Sequence, residues 1–190
     1  MMQKNKLLVT VEGAVIVALA MALTYIPHSI GVSSIELQYG IIPLIIYAWR
    51  RGLGAGITAG VVWGLLDLIL RGLSKGSVLN LWQGILEYPV AFGVLGLAGL
   101  WSRQMQLRLQ TNKQTYWIML WSSLVSVCAK YLLHFFAGGL VWGAYAPKSM
   151  NPWVYSLIVN GGSAVANIVM VAIIFLLLKK VLKQLVLVKD

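Results

Sequence analysis

Long apolar runs alternate with short polar segments along almost the whole chain. Drawn by hydropathy, six runs stand out, at about 8–26, 40–49, 53–70, 80–101, 116–140 and 153–178. A helix of about 20 apolar residues crosses the ~30 Å hydrocarbon core of a bilayer. The second run is short. Pro43 breaks it and Arg50-Arg51 close it, so it is either tilted or begins nearer Ile35. Glycines within 52–60 allow close helix packing at the start of the third run. The pattern predicts an all-α integral membrane protein, a bundle of six transmembrane helices forming one domain over residues 1–190. No linker rich in Ser or Pro, low-complexity tract or convincing internal repeat interrupts it.

Composition points the same way. Apolar residues make up 59% of the chain and charged residues 11%, with a mean hydropathy of +0.83. Soluble domains carry about 25% charged residues, so the natural solvent here is a lipid bilayer. The net charge of +10 suggests nucleic acid at first sight, but the charges fall in short clusters between apolar runs. Such clusters mark the cytoplasmic ends of membrane helices, and nucleic acid is not an expected partner. With the N-terminus inside, eleven cations fall on inner segments: Lys4, Lys6, Arg50, Arg51, Arg103, Arg108, Lys113, Lys179, Lys180, Lys183 and Lys189. Only Arg71, Lys75 and Lys148 fall outside, and Lys130 sits within a span. Both termini are therefore expected in the cytoplasm. Asp67 and Arg71, four residues apart, read as a helix-end pair.

Two further signals change little. Lys4 and Lys6 precede an apolar stretch with Ala18-Leu19-Ala20 and Ala20-Met21-Ala22, which look like signal-peptide cleavage sites. Glu12 interrupts that stretch and more spans follow, so a retained first helix is expected. Cys128 is the single cysteine. It rules out an intramolecular disulfide and a CxxC metal site, and it reads as a small core residue. Neither a metal nor a cofactor is expected.

Polar residues inside spans are costly and need a reason. At ~1.5 Å per residue, Glu87 lies roughly 10 Å below the outer surface on the fourth helix. Lys130 on the fifth lies roughly 9 Å from the outer face, and Asn160 on the sixth roughly 10 Å down. Three helices thus place a polar group at one depth, with His134, Trp142 and Tyr155 above it. That is the layout of a pocket open to the exterior. Lys130, His134 and Gly138 recur every four residues and share a face, and Gly138 leaves room for a ligand or a ring. Pro89 lacks an N–H and frees the carbonyl of Ile85, favouring a kink beside Glu87-Tyr88. Tyr155 and Asn160, about 140° apart on a regular helix, converge weakly. Duller roles compete: a Glu87–Lys130 ion pair, a packing role for His134, belt positions for Trp142 and Trp153, and helix-to-helix hydrogen bonding for Asn167. Ala14, Ala18 and Ala22 form a small-residue stripe, read either as packing within the bundle or as a contact surface.

These residues carry a resemblance. The chain resembles, over essentially its full length, the thiamine-specific S-component of energy-coupling factor (ECF) vitamin transporters. The telling segments are Glu87-Tyr88-Pro89, the run Lys130-Tyr131-Leu132-Leu133-His134-Phe135 through Gly138 to Trp142, and Tyr155 with Asn160. The resemblance implies that Glu87, Tyr88, Lys130, His134, Gly138, Trp142, Tyr155 and Asn160 form a thiamine site. It implies that Ala14, Ala18 and Ala22 dock on a transmembrane coupling subunit, and that two ATPase subunits complete an importer in the bacterial cytoplasmic membrane. The family's first outer loop carries a Trp over the ligand. Residues 27–40 hold none, leaving Tyr39 or Gln38 in its place. Thiamine, a permanent cation with an aminopyrimidine ring, suits a carboxylate such as Glu87 and aromatic walls. Asn160 can both donate and accept hydrogen bonds. Lys130 suits it less, and either pairs with Glu87 or reaches the hydroxyethyl end.

Two other function classes fit less well. An intramembrane enzyme using Glu87 and His134 lacks paired carboxylates, an HExxH or a nucleophile arrangement. A stand-alone secondary transporter of a small cationic or pyrimidine-containing solute lacks evident inverted repeats. No ATP-binding loop is present, since Gly52-Leu53-Gly54-Ala55-Gly56 lacks the Lys-Ser/Thr of a phosphate loop.

Overall fold

The structure is a computed structural model that describes residues 2–26 and 35–188. The described residues fold as helices. They are α1 (Met2–Leu23), α2 (Ile41–Arg51), α3 (Leu53–Leu73), α4 (Leu81–Gln110), α5 (Tyr116–Leu140), α6 (Pro152–Leu178) and a short α7 (Leu182–Val186). A 3-10 turn, Trp142–Tyr145, follows α5.

Local chemistry sets several boundaries. Asn80 accepts a hydrogen bond from the Gln83 N–H (2.9 Å) and caps α4. Asn151 does the same for Trp153 (2.9 Å), and Pro152 occupies the first turn of α6, where its missing N–H costs nothing. Gly52 separates α2 from α3 at φ +87°, a conformation that favours glycine.

Five helices, α1 and α3 to α6, are long and apolar enough to cross a membrane. The predicted second span is the exception. With 11 residues, α2 is ~16 Å long, about half the hydrocarbon core. The fourth helix runs past its predicted end at 101 to Gln110. Outward faces are apolar: Val11 and Val15 on α1, Leu132 and Phe136 on α5, Val165, Val169 and Ile173 on α6 are all exposed. Apolar side chains exposed over this much surface match lipid rather than water. Cys128 shares that outward exposure, so it is not the core residue that composition suggested.

The interior is aromatic at two levels. Trp49 meets Phe175 (4.7 Å between ring centres) and donates to the Ser122 hydroxyl (3.0 Å). Trp63 packs edge-on against Phe92 (4.6 Å). Between α3 and α4 runs a seam of glycines, as the sequence predicted. A Cβ on Gly56 would lie 3.1 Å from the Gly96 Cα, and one on Gly60 would strike the Phe92 carbonyl. One on Gly64 would come within 2.8 Å of the Pro89 Cα. This backbone contact fixes α4, and with it Glu87, against α3.

One end of the bundle is basic. There Glu12 of α1 binds Arg50 (3.0 Å) and Arg51 (2.5 Å), while Arg50 also donates to the Leu187 carbonyl (2.6 Å). The start of the bundle and its C-terminal segment therefore meet at the same end.

Candidate functional site

The opposite end holds a cavity of about 540 Å³. Its walls come from five places. The segment before α2 contributes Glu36 and Gln38, and α3 with the following loop contributes Asp67, Arg71, Lys75 and Ser77. Glu87, Tyr88 and Phe92 come from α4. His134, Gly138, Trp142 and Tyr145 come from α5 and its 3-10 turn, and Tyr155, Ser156, Val159 and Asn160 from α6.

Glu87 is the centre of the polar network. It lies in a π-helical turn, Leu86–Val90, which contains Pro89. Proline cannot supply the N–H a regular helix requires, so the turn widens where the carboxylate projects. Gln83, one turn earlier and buried, donates to Glu87 Oε2. The same amide binds the Ser77 carbonyl (3.1 Å) and the Leu79 N–H (2.9 Å), which folds the α3–α4 loop over the site. Trp142 donates its indole N–H to Glu87 Oε2 (3.2 Å). His134 Nδ1 lies 3.6 Å from Glu87 Oε1.

His134 joins the three polar residues placed at one depth. Its Nε2 is 2.8 Å from Lys130 Nζ, and its backbone carbonyl accepts from Asn160 Nδ2 (3.3 Å). Lysine ammonium only donates, so Nε2 accepts and Nδ1 carries the proton toward Glu87. The direct Glu87–Lys130 pair weighed from sequence is replaced by a relay through His134. Lys130 itself is fully buried and sits over Phe92 and Tyr131 (4.8 and 4.5 Å). It stands behind the cavity wall rather than in it.

The other predicted residues line the cavity: Tyr88, Gly138, Trp142, Tyr155 and Asn160. Gly138 makes room for α6 rather than for a ring. A Cβ there would collide with the Ser156 hydroxyl and lie 3.1 Å from Asn160 Nδ2. Tyr88 packs its ring over Gly72. α5 ends at Leu140, consistent with fraying near Gly139 and Gly143, and Trp142 turns inward from the 3-10 segment. Trp153 packs on Phe135 (5.5 Å) and stays partly exposed, a belt position. Asn167 ties α6 to the segment before α2. It accepts from the Gln38 N–H (2.8 Å) and donates to the Glu36 carbonyl (2.6 Å) and the Tyr131 hydroxyl (2.8 Å).

Some wall residues escaped the sequence reading. Asp67 and Arg71 do pair (3.0 Å), but they do so on the cavity wall. Gln83 was legible as an i, i+4 neighbour of Glu87. Glu36 had a signal too, a carboxylate between Ile35 and Leu37 in an outer segment. Of the two residues offered for the loop tryptophan, Gln38 lines the cavity, whereas Tyr39 lies on a separate apolar groove. The rest of that loop, 27–34, lies outside the described residues.

Fold and site together define a multi-pass helical membrane protein with an interior polar cavity sized for one small organic molecule. The chain belongs to the thiamine transporter protein family (Thia_YuaJ), whose profile matches residues 10–187. It is 52% identical over 192 residues to the thiamine transporter ThiT of Lacticaseibacillus paracasei, covering all of this chain and 96% of that protein. It is 28% identical over 139 residues to ThiT of Bacillus subtilis, covering 72% and 71%. The solved structure of ThiT from Listeria monocytogenes superposes with a TM-score of 0.85 at 32% identity, over 97% of this chain and 100% of that one. The family is one of transporters, not enzymes, which agrees with the resemblance and the function class read from the residues.

Proposed function

We propose that the chain is the thiamine-binding S-component of an ECF importer, and that the cavity around Glu87 is its vitamin site. The observation that carries this is a buried carboxylate, fixed from three sides by Gln83, His134 and Trp142 beneath aromatic walls, in a chain of the thiamine transporter family. An ionised carboxylate accepts hydrogen bonds from the ring amine and favours the cation. Trp142, Tyr145 and Tyr155 supply π-faces for the flat rings and the thiazolium. Asn160 commits its amide nitrogen to the His134 and Ser156 carbonyls, which turns its oxygen into an acceptor for the ligand. Gln38 takes the place of the loop tryptophan. Among the described residues its side-chain oxygen is buried without a hydrogen-bond partner, an arrangement that suits a ligand donor.

In this reading the cavity faces outward and the basic end lies in the cytoplasm, with both termini there. The short α2 then completes a sixth, incomplete crossing, and the whole chain works as one domain. Ala14, Ala18 and Ala22 are exposed on α1, which supports docking on a coupling subunit rather than packing inside the bundle. Two ATPase subunits drive release. The chain itself holds thiamine and supplies no chemistry.

Tryptophan fluorescence tests the site. Thiamine should quench the emission of the purified protein, mainly through Trp142, and Trp142→Phe should remove most of the quench. A full quench in that variant places the vitamin elsewhere.

A further inference from the structure

A second cavity lies at the basic end, on the lipid-facing side of the α5–α6 pair. Its volume is about 350 Å³, and its walls are Met119 and Leu120 of α5 with Ile168, Ala172, Phe175 and Leu176 of α6. Leu120 and Leu176 are exposed, so the groove opens sideways toward hydrocarbon. It runs from Tyr116 to Ser123 along α5, ~10 Å of helix and so most of one leaflet's ~15 Å of hydrocarbon. The Ser123 hydroxyl is the exception to its apolar lining and has no hydrogen-bond partner among the described residues.

The mouth of the groove is charged. Lys179 folds back onto Tyr116, donating to its hydroxyl and lying 4.5 Å from its ring centre. Lys183 reaches Asn112 (3.1 Å), next to Lys113, and Arg108 holds the Gln114 carbonyl (2.9 Å). These cations are exposed. Among the described residues, the carboxylate at this end is Glu12, and Arg50 and Arg51 hold it. Among the described residues, the patch therefore carries uncompensated positive charge at one end of an apolar slot.

We infer that this groove holds one anionic phospholipid, its acyl chain between α5 and α6 and its phosphate against Tyr116, Lys179 and Lys183. A free anion would make no use of the apolar walls. A hydrophobic segment of a protein would make no use of the cations, whereas a phospholipid matches both at the observed spacing. None of these residues belongs to the vitamin cavity.

Native mass spectrometry of the full chain, offered equal phosphatidylglycerol and phosphatidylcholine, tests the assignment. Each lysine facing an anionic headgroup contributes roughly fivefold, so wild type should retain one lipid with a preference for phosphatidylglycerol of about tenfold or more. That preference should shrink at high salt. Lys179→Gln with Lys183→Gln should lower it by roughly ten- to twenty-five-fold, and Ala172→Phe should expel lipid of either kind. All variants should bind thiamine as wild type does, which shows that they fold. Equal retention of the two lipids, a salt-independent preference, or lipid retained by Ala172→Phe would overturn the inference. So would an Ala172→Phe protein that keeps its lipid preference but no longer assembles with a coupling subunit, since that assigns the groove to a protein helix. The salt series needs wild type alone and decides the matter should a variant misfold.

Discussion

His134 links three parts of the site. One ring nitrogen faces Glu87, the other meets Lys130, and its carbonyl holds Asn160. In the proposed site Lys130 acts on the vitamin through the imidazole, fixing its tautomer and angle. Lys130→Met should weaken thiamine binding by roughly tenfold, the scale of one charged hydrogen bond. In a His134→Ala background the same change should cost less than about 0.5 kcal/mol, because residues in one network are not additive. Fully additive losses in calorimetry would instead mean that Lys130 touches the ligand. At this scale the sequence named residues that line the cavity better than it showed how they connect. Helical spacing put Lys130 and His134 on one face, but only side-chain rotamers decide that histidine comes between lysine and glutamate. Glu36 was hard to assign because the segment before α2 brings it to the wall, and the Asp67–Arg71 pair because i, i+4 spacing does not say which way that face of α3 turns.

The helices that carry these residues are held by small-residue contact. α3 presents Gly56, Gly60 and Gly64 to the backbone of α4, and the π turn at Leu86–Val90 sits against that seam. Gly60→Val should therefore push α4 away, destabilising the protein by about 1–3 kcal/mol or more and loosening Glu87. Gly54 has open space around its missing Cβ, so Gly54→Ala should leave stability unchanged or slightly raised. Thermal unfolding in detergent, read with and without thiamine, separates the two. Equal stability of both variants would show that the seam is not tight. Hydropathy located α3, α5 and α6 to within a few residues, since lipid imposes length and apolarity directly, but it missed the start of α1 at Met2 and the end of α4 at Gln110. It failed for α2, whose buried Trp49, Ile41 and Leu44 are apolar because they pack inside the bundle. Hydropathy cannot tell protein interior from lipid.

At the scale of the whole molecule, the proposed vitamin site and the proposed docking surface lie apart. The cavity lies at one end between α3, α4, α5 and α6, while Ala14, Ala18 and Ala22 face outward on α1. Replacing Ala14 and Ala18 with Trp should leave thiamine binding by the isolated chain intact and abolish ATP-driven uptake by the assembled complex. Normal uptake would move the docking surface to another helix. The central claim, that Glu87 at the floor of the cavity binds the vitamin, is tested most directly by calorimetric titration of thiamine into wild type and Glu87→Gln. Losing a charge-assisted hydrogen bond costs about 1.5–3 kcal/mol. The variant should stay folded and bind roughly ten- to a hundredfold more weakly. A folded Glu87→Gln protein with wild-type affinity would contradict the account and assign Glu87 to the structure of the bundle.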